Sequence, residues 1–161
     1  ILLDNGYLNP ISTFLSLPSI TDFLLVSQQS SDDSFASILS ESTSENYLAR
    51  LEDEDAVFTI LQASEEAIAN YLSENNYAAI NDIPQANLQK IIDNHIIPQE
   101  NVRTEAIEDS LQVTANSGAL LNFYEDNGPK IKLENNEIIN IITPNIQAVN
   151  GVIQIVDRVI E

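Results

Sequence analysis

The only histidine, His95, is the first residue in this sequence to consider for acid–base chemistry. An imidazole that titrates near neutral pH can act as a general base, a metal ligand or a ligand contact. Ser and Asp are abundant enough for a Ser-His-Asp triad, but the sequence contains no Gly-x-Ser-x-Gly elbow. His95 continues the apolar helical stripe of Leu88, Ile91 and Ile92 and lies shortly before Pro98. This position favours a half-buried histidine that bonds to the backbone at a helix end.

Carboxylates are the other candidates for chemistry, and three groups stand out. Glu65-Glu66 follow Ser64, where they suit the positive end of a helix dipole better than an acid/base pair, because adjacent helical residues point about 100° apart. Asp32-Asp33 and the run 52–55 lack the spacing and glycine of an EF-hand loop. We interpret both as solvated loops, with weak and non-specific divalent binding as the alternative.

Composition excludes several classes of function. The 161 residues include 25 acidic and 6 basic side chains, a formal net charge of -19, which is unsuited to binding phosphate backbones or anionic bilayers. The absence of cysteine removes disulfides and thiolate metal sites. No apolar run reaches the roughly 20 residues of a membrane span. With 43% hydrophobic residues, the chain can build the core of one domain.

Helical patterns occupy most of the first part of the chain. Apolar residues recur at helical spacing between residues 20 and 51, with polar breaks between the segments. A buried strand is predicted over 56–61, and a helix follows it with Ser64 as the N-cap. A further helix is predicted to begin near Asp82 and to stop at Pro98.

The second part of the chain has a period close to two, which is typical of strands. Strands are predicted at 111–113, 119–123, 131–133, 138–142 and 152–156, with hairpin turns at 126–129 and 134–136. Helices before strands, without alternation, predict an α+β fold. Residues 1–18 carry turn signals and are interpreted as an N-terminal segment or linker from a preceding region, which leaves 19–161 as the domain.

Three sequence motifs resemble those of fasciclin (FAS1) domains, and they occur in the order found in that family. Residues 58–68 read FTILQASEEAI, residues 94–98 read NHIIP, and residues 150–160 read NGVIQIVDRVI. The last motif is the most specific, and the resemblance extends over about 19–161. The sequence departs from the family at Ala63, Asn94 and Gln154, where Pro, Tyr and His are usual. These departures weaken the transfer of any receptor-binding motif from known family members to this sequence. They leave the fold that the resemblance implies nearly unaffected.

The resemblance assigns a mainly structural role to the residues at the motif positions. These positions are Phe58, Thr59, Ser64, Ala67, His95, Pro98, Asn150, Gly151, Gln154 and Asp157. Asn150-Gly151 suits a tight turn, since both residue types tolerate positive φ. The strand that follows is apolar on both faces, which predicts a central position in the sheet. Asp157-Arg158 is expected to form a local charge pair.

The resemblance implies a β-sandwich or β-wedge core with helices packed on one side. It also implies a non-catalytic adhesion or interaction module, extracellular or at the cell surface, that binds a protein or glycan without a cofactor. Tyr7, Tyr77 and Tyr124 are candidate interface anchors or ordinary boundary tyrosines. An enzyme built around His95 is the least favoured class.

The composition favours an exported bacterial protein, periplasmic or anchored at the outer membrane. A lipid anchor or further domains are expected upstream of Ile1. The alternative function is a carbohydrate-binding or polysaccharide-utilisation accessory domain of a bacterial surface protein. That alternative would require a groove of exposed aromatic rings, although the chain is only 6% aromatic and lacks Trp.

Overall fold

A computed structural model describes residues 17–28, 32–107 and 110–161. It also describes the backbone of two short antiparallel strands, β1 (Leu2–Leu3) and β2 (Gly6–Tyr7). Most of the predicted N-terminal segment 1–18 lies outside the described residues, so its role stays a prediction.

Five α-helices fall in the first 95 positions of the described chain. They are α1 (Ile20–Gln28), α2 (Phe35–Glu41), α3 (Tyr47–Leu51), α4 (Glu65–Glu74) and α5 (Gln85–His95), with 3₁₀ turns at Ile80–Asp82 and Thr104–Ala106. Ser34, Asn46 and Ser64 cap α2, α3 and α4, each accepting a backbone N–H three residues on. None of the helices in the described ranges is long and apolar enough to cross a bilayer.

Seven strands form the main sheet, in the order β4-β3-β9-β8-β7-β6-β5. Their bounds are β3 (Phe58–Ala63), β4 (Ile96–Pro98), β5 (Leu111–Thr114), β6 (Leu120–Glu125), β7 (Pro129–Lys132), β8 (Ile138–Ala148) and β9 (Gly151–Val156). All neighbouring strands are antiparallel except β3 and β9, which run parallel over six residues each. The last strand of the chain therefore lies beside the first strand of the main sheet.

The sheet folds over on itself. Ile97 of β4 and Val113 of β5 belong to one hydrophobic cluster, although these strands stand at opposite ends of the sheet order. The amide of Asn116 donates to the carbonyl of Ile96 over 2.7 Å and joins the two ends directly. Register shifts in β8, between Ile141 and Ile146, supply the bend, because a bulge kinks and twists a strand.

Two hydrophobic cores result from this fold. The first lies between the helices and one face of β3 and β9, and it includes Phe35, Leu88 and Ile153. The second lies inside the folded sheet and includes Leu121 and Phe123. Phe58, Ile60 and Ala63 of β3 belong to the first core and Leu61 belongs to the second, which explains why nearly the whole strand is buried.

The predicted α+β class is confirmed, with helices in the first half and strands in the second. The predicted strands at 111–113, 119–123, 131–133, 138–142 and 152–156 correspond to β5 to β9, and the hairpin turns lie where expected. β4 was not predicted, because three residues directly after a helix give no periodic signal. The prediction that Asp157 and Arg158 form a charge pair is wrong. Asp157 is hydrogen-bonded to Asn140, and Arg158 forms an ion pair with Glu137 at 3.3 Å.

Gly151 is held where a side chain has no room. Its φ is 145°, and a Cβ built on it would lie 1.9 Å from the carbonyl oxygen of Phe58. The obstacle is backbone, so relief would require β9 to separate from β3. This contact explains why the closing motif requires glycine at this position.

We therefore expect Gly151→Ala to lose at least about 4 kcal/mol of unfolding free energy or to prevent folding. Gly118→Ala is the matched control, since Gly118 also has positive φ (90°) but an added methyl group there would have no heavy atom within 4 Å. The control should cost only the backbone strain, about 1–2 kcal/mol. Urea denaturation of both variants measures the difference, and equal losses would contradict the steric explanation.

Candidate functional site

His95 lies fully buried at the end of α5, with both ring nitrogens occupied. Its Nδ1 is 2.7 Å from the carbonyl oxygen of Ile91, and its Nε2 accepts the amide of Ile160 over 3.2 Å. These partners assign the proton to Nδ1, because a carbonyl can only accept and an amide can only donate. The Phe35 ring packs against the imidazole at a centroid distance of 5.2 Å. The ring is more buried than the sequence indicated and fastens the end of the chain to α5.

The protonation state of His95 follows from this burial. Desolvation lowers its pKa from 6.5 to about 4, although the backbone carbonyls of Ile91 and Arg158 oppose that change. The imidazole is therefore neutral at physiological pH. A buried neutral ring with both nitrogens bonded to backbone offers no general base to a substrate.

Asn150 joins three distant segments through its side-chain amide. Its Oδ1 accepts the amide of Ile20 over 2.9 Å. Its Nδ2 donates to the carbonyls of Leu51 and Asp53 at 2.7 and 3.1 Å. The residue is 1% exposed, so this side chain works as an internal clamp between α1, α3 and the β8–β9 turn.

Thr59 and Gln154 hold the segment after β4 against the sheet. The Thr59 hydroxyl donates to the carbonyl of Glu100 and accepts the amide of Val102, both at 2.8 Å. Gln154 donates to the Val102 carbonyl at 2.8 Å and accepts the Asn145 amide at 2.8 Å. Both side chains are fully buried, so their polar atoms are used within the scaffold.

Ser64 and Asp157 directly follow β3 and β9, where Ser64 caps α4 and Asp157 bonds to β8. The Ser64 hydroxyl accepts the amide of Ala67 at 3.1 Å, and its own amide donates to the Val156 carbonyl at 3.0 Å. Both carboxylate oxygens of Asp157 accept hydrogen bonds from Asn140, at 2.8 and 2.6 Å. Neither residue leaves a free reactive group.

Phe58 and Pro98 face each other in the register of β3 and β4. The guanidinium of Arg50 lies 5.9 Å from the centre of the Phe58 ring, a cation–π contact. Arg50 also donates to Asn116 over 3.0 Å and pairs with Glu45 at 3.6 Å. The Phe58 ring therefore takes part in packing at the outer end of the sheet.

The acidic groups predicted as solvated loops are exposed where the structure describes them. This applies to Asp32, Asp33 and the run 52–55, while Glu65 and Glu66 lie in the first turn of α4. Within the described ranges, no three or more His, Asp or Glu side chains are arranged to hold a metal ion.

The three tyrosines proposed as anchors do not form a common surface. Tyr77 and Tyr124 are half-buried, and Tyr77 packs against the helical core with its ring 6.3 Å from that of Tyr71. Tyr7 lies in β2, and its side chain lies outside the described residues.

A surface groove of about 460 Å³ runs between α4, β8 and residues 157–161. We call it the α4 groove. Tyr71 lines it, and burial, Glu161 and Tyr77 raise the pKa of this phenol to about 12. Sequence reasoning missed the groove, because its walls come from three separated segments and Tyr71 belongs to an apolar helical stripe.

The sequence profile of the Fasciclin domain matches residues 33–161. The chain belongs to the fasciclin family. A comparison with curated proteins gives no match.

Among solved structures, this fasciclin domain is similar to a FAS1 domain pair from the insect cell adhesion molecule Fasciclin I. The TM-score is 0.71 at 13% sequence identity, and the alignment covers 91% of this chain. The chain spans about half of that solved chain, of which 51% is covered. A likeness at this identity establishes the fold.

The burial of His95 predicts a specific dependence of stability on pH. The unfolded chain binds the histidine proton near pH 6.5 and the folded chain only near pH 4. Neutral His95 therefore contributes about 3 kcal/mol that is fully present above pH 6.5 and lost progressively as pH falls from 6.5 to 4.

The measurement is the unfolding free energy of wild type and His95→Gln at several pH values. We expect the wild-type advantage to shrink by about 3 kcal/mol between pH 7 and pH 4. Both proteins share the titration of the surface carboxylates, which cancels in the difference. An advantage that stays constant across this range would refute the burial of a neutral imidazole.

The hydrogen bonds of Thr59 predict that removing its hydroxyl lowers the stability of the domain. Thr59→Val keeps the shape of the side chain but leaves the buried Val102 amide without its acceptor, which should cost about 1–3 kcal/mol. Thr114→Val, on the exposed face of β5, should stay within about 0.5 kcal/mol of wild type. Thermal and urea unfolding compare the two, and a similar effect at both sites would speak against the role given to the Thr59 hydroxyl.

Proposed function

We propose that this fasciclin domain is a non-catalytic interaction module that binds a protein partner through its surface. The observation that carries the proposal is the state of His95, the one histidine of the sequence, which is buried and bonded to backbone at both nitrogens. A catalytic base must reach a substrate, and this ring cannot do so without unfolding the end of α5.

The other polar motif residues support the same proposal. The side chains of Thr59, Asn150 and Gln154 are each at most 1% exposed, and each is hydrogen-bonded within the domain. Their hydrogen-bonding groups are therefore used to hold the fold together. Recognition is therefore left to the outer surface, where acidic side chains predominate in a chain of net charge -19.

A protein partner is favoured over a glycan. Glycan-binding grooves present exposed aromatic rings, and no Phe or Tyr in the described ranges has an exposed side chain. The likeness to the fold of an insect cell adhesion molecule fits an adhesion-type role. The glycan-accessory alternative from the sequence has no comparable support.

We further propose that the domain works outside the cytoplasm, at a cell surface or in the extracellular space. The family assignment supports this location, since FAS1 domains are typically surface-associated. The composition, free of cysteine and rich in Asn and Ile, fits an exported bacterial protein with a lipid anchor.

The proposal is tested with fluorescent beads that carry the purified domain. Beads are applied to surfaces coated with extracellular proteins and with glycans, and retention under flow is counted. We expect retention on one or more protein surfaces, in the presence of EDTA, and none above background on glycans. Beads that carry an unrelated domain of similar negative charge are the control.

His95→Gln separates structure from chemistry in the same assay. Measured below its unfolding temperature, this variant should be retained as well as wild type while its Tm is lower. Hydrolysis of an ester or glycoside panel by wild type, lost in a folded His95→Gln, would overturn the non-catalytic assignment. Retention no greater than that of the charge-matched control would overturn the interaction role.

A further inference from the structure

The dipeptide Asn-Gly occurs three times in this sequence, at 5–6, 127–128 and 150–151. In this dipeptide the asparagine side chain is readily lost as ammonia, because glycine has no Cβ to hinder attack by its amide nitrogen on the preceding side-chain carbonyl. The structure describes the second and third pairs and holds them in opposite surroundings. Asn5 lies outside the described residues.

Asn127-Gly128 lies at the tip of the β6–β7 hairpin. Asn127 is exposed and has a φ of 51°, and its Nδ2 donates to the Asp126 carboxylate over 3.2 Å, an exposed bond that water can replace. Gly128 has a φ of 123°, and a Cβ built on it would have no heavy atom within 4 Å. The turn is therefore open to solvent, and the Asn127 side chain can rotate onto the Gly128 nitrogen without displacing another part of the domain.

The nitrogen that would attack is already hydrogen-bonded to a base. The Gly128 amide donates to Oε1 of Glu125 over 2.8 Å. A general base must lie within about 2.6–3.2 Å of the atom whose proton it removes, and this carboxylate does. Asp126, the other carboxylate of the turn, pairs with Lys130 at 2.8 Å. Glu125 is therefore the group placed to accept the amide proton as the nitrogen forms its new bond.

Asn150-Gly151 is protected against the same reaction. Asn150 is 1% exposed, and both its side-chain Oδ1 and Nδ2 are bonded to backbone groups of other segments. Gly151 packs against the carbonyl of Phe58, which fixes its backbone. The Asn150 side chain cannot turn onto the Gly151 nitrogen, and water cannot reach it, until the domain unfolds.

We propose that Asn127 is a site of spontaneous deamidation in the folded domain, with Glu125 accepting the proton of the Gly128 amide, whereas the fold preserves Asn150. The Gly128 nitrogen forms a bond to Cγ of Asn127, and the bond from Cγ to Nδ2 breaks. The proton removed from Gly128 is passed to the leaving group, which departs as ammonia. Water then opens the resulting succinimide ring at one carbonyl to give aspartate or at the other to give isoaspartate.

Both products change the tip of the hairpin, independently of the proposed binding role. Each adds one negative charge next to Asp126. Isoaspartate also lengthens the main chain by one carbon atom, in a turn that aligns Glu125 with Pro129. The altered turn joins β6, which carries Phe123 into the second core, to β7.

The test follows each Asn-Gly pair separately by peptide mapping with mass spectrometry. The full chain is incubated for several weeks at neutral and mildly alkaline pH, folded in buffer and unfolded in guanidinium chloride. In the folded chain, Asn127 should convert at least about tenfold faster than Asn150, since Asn150 reacts only through the small population of unfolded molecules. In guanidinium chloride the two should convert at similar rates. Conversion of Asn127 no faster than that of Asn150 in the folded chain would overturn the proposal.

Two variants test the chemistry. Gly128→Ala should slow the conversion of Asn127 at least about tenfold, because the methyl group hinders ring closure, and an unchanged rate would overturn the succinimide route. Glu125→Gln keeps a hydrogen-bond acceptor but is not a base, and it should slow the conversion roughly threefold or more. Glu134→Gln, in the exposed β7–β8 turn, removes the same charge and is the matched control. A rate in Glu125→Gln equal to or above that in Glu134→Gln would overturn the role of Glu125.

Discussion

The backbone of Gly151 approaches the carbonyl of Phe58 so closely that no side chain fits between them, and this approach sets the last strand of the chain beside the first strand of the main sheet. Parallel neighbours cannot be joined by a tight turn, and α4, α5 and the strands β4 to β8 all lie between β3 and β9 along the chain. The helices cover one face of this pair and the folded sheet covers the other. Both cores therefore depend on one pair of strands.

Buried side chains reinforce this pair at defined points. Asn150 bonds the β8–β9 turn to α1 and α3, and Gln154 and Thr59 bond the two strands to the segment after β4. His95 then holds the amide of Ile160, beyond the end of β9. Each of these groups is costly to bury unless it is paired, so the pairing favours one arrangement of strands over others. The same pairing removes these groups from any chemistry with a ligand.

The sequence predicted most elements because their signals are local. Ser64 before an apolar stripe predicted α4, and the turn residues at 126–129 and 134–136 predicted the hairpins of the second half. β4 and the full length of β8 were not predictable in this way, since β4 is a three-residue strand and β8 bends through irregular register. The α4 groove gave no sequence signal at all. Its walls come together only when residues 157–161 return to α4, which is a property of the tertiary fold.

The bond from the Asn116 amide to the Ile96 carbonyl also affects how copies of the domain meet each other. Ile96 belongs to the outermost strand, and an unpaired carbonyl there would be an open acceptor for a strand of another molecule. Because the chain covers that acceptor itself, and because β5 at the opposite edge has only four residues, neither edge offers a long template for strand addition. Protection against edge-to-edge aggregation is thus built into the closure of the sheet, and the strongly negative surface adds electrostatic repulsion between copies.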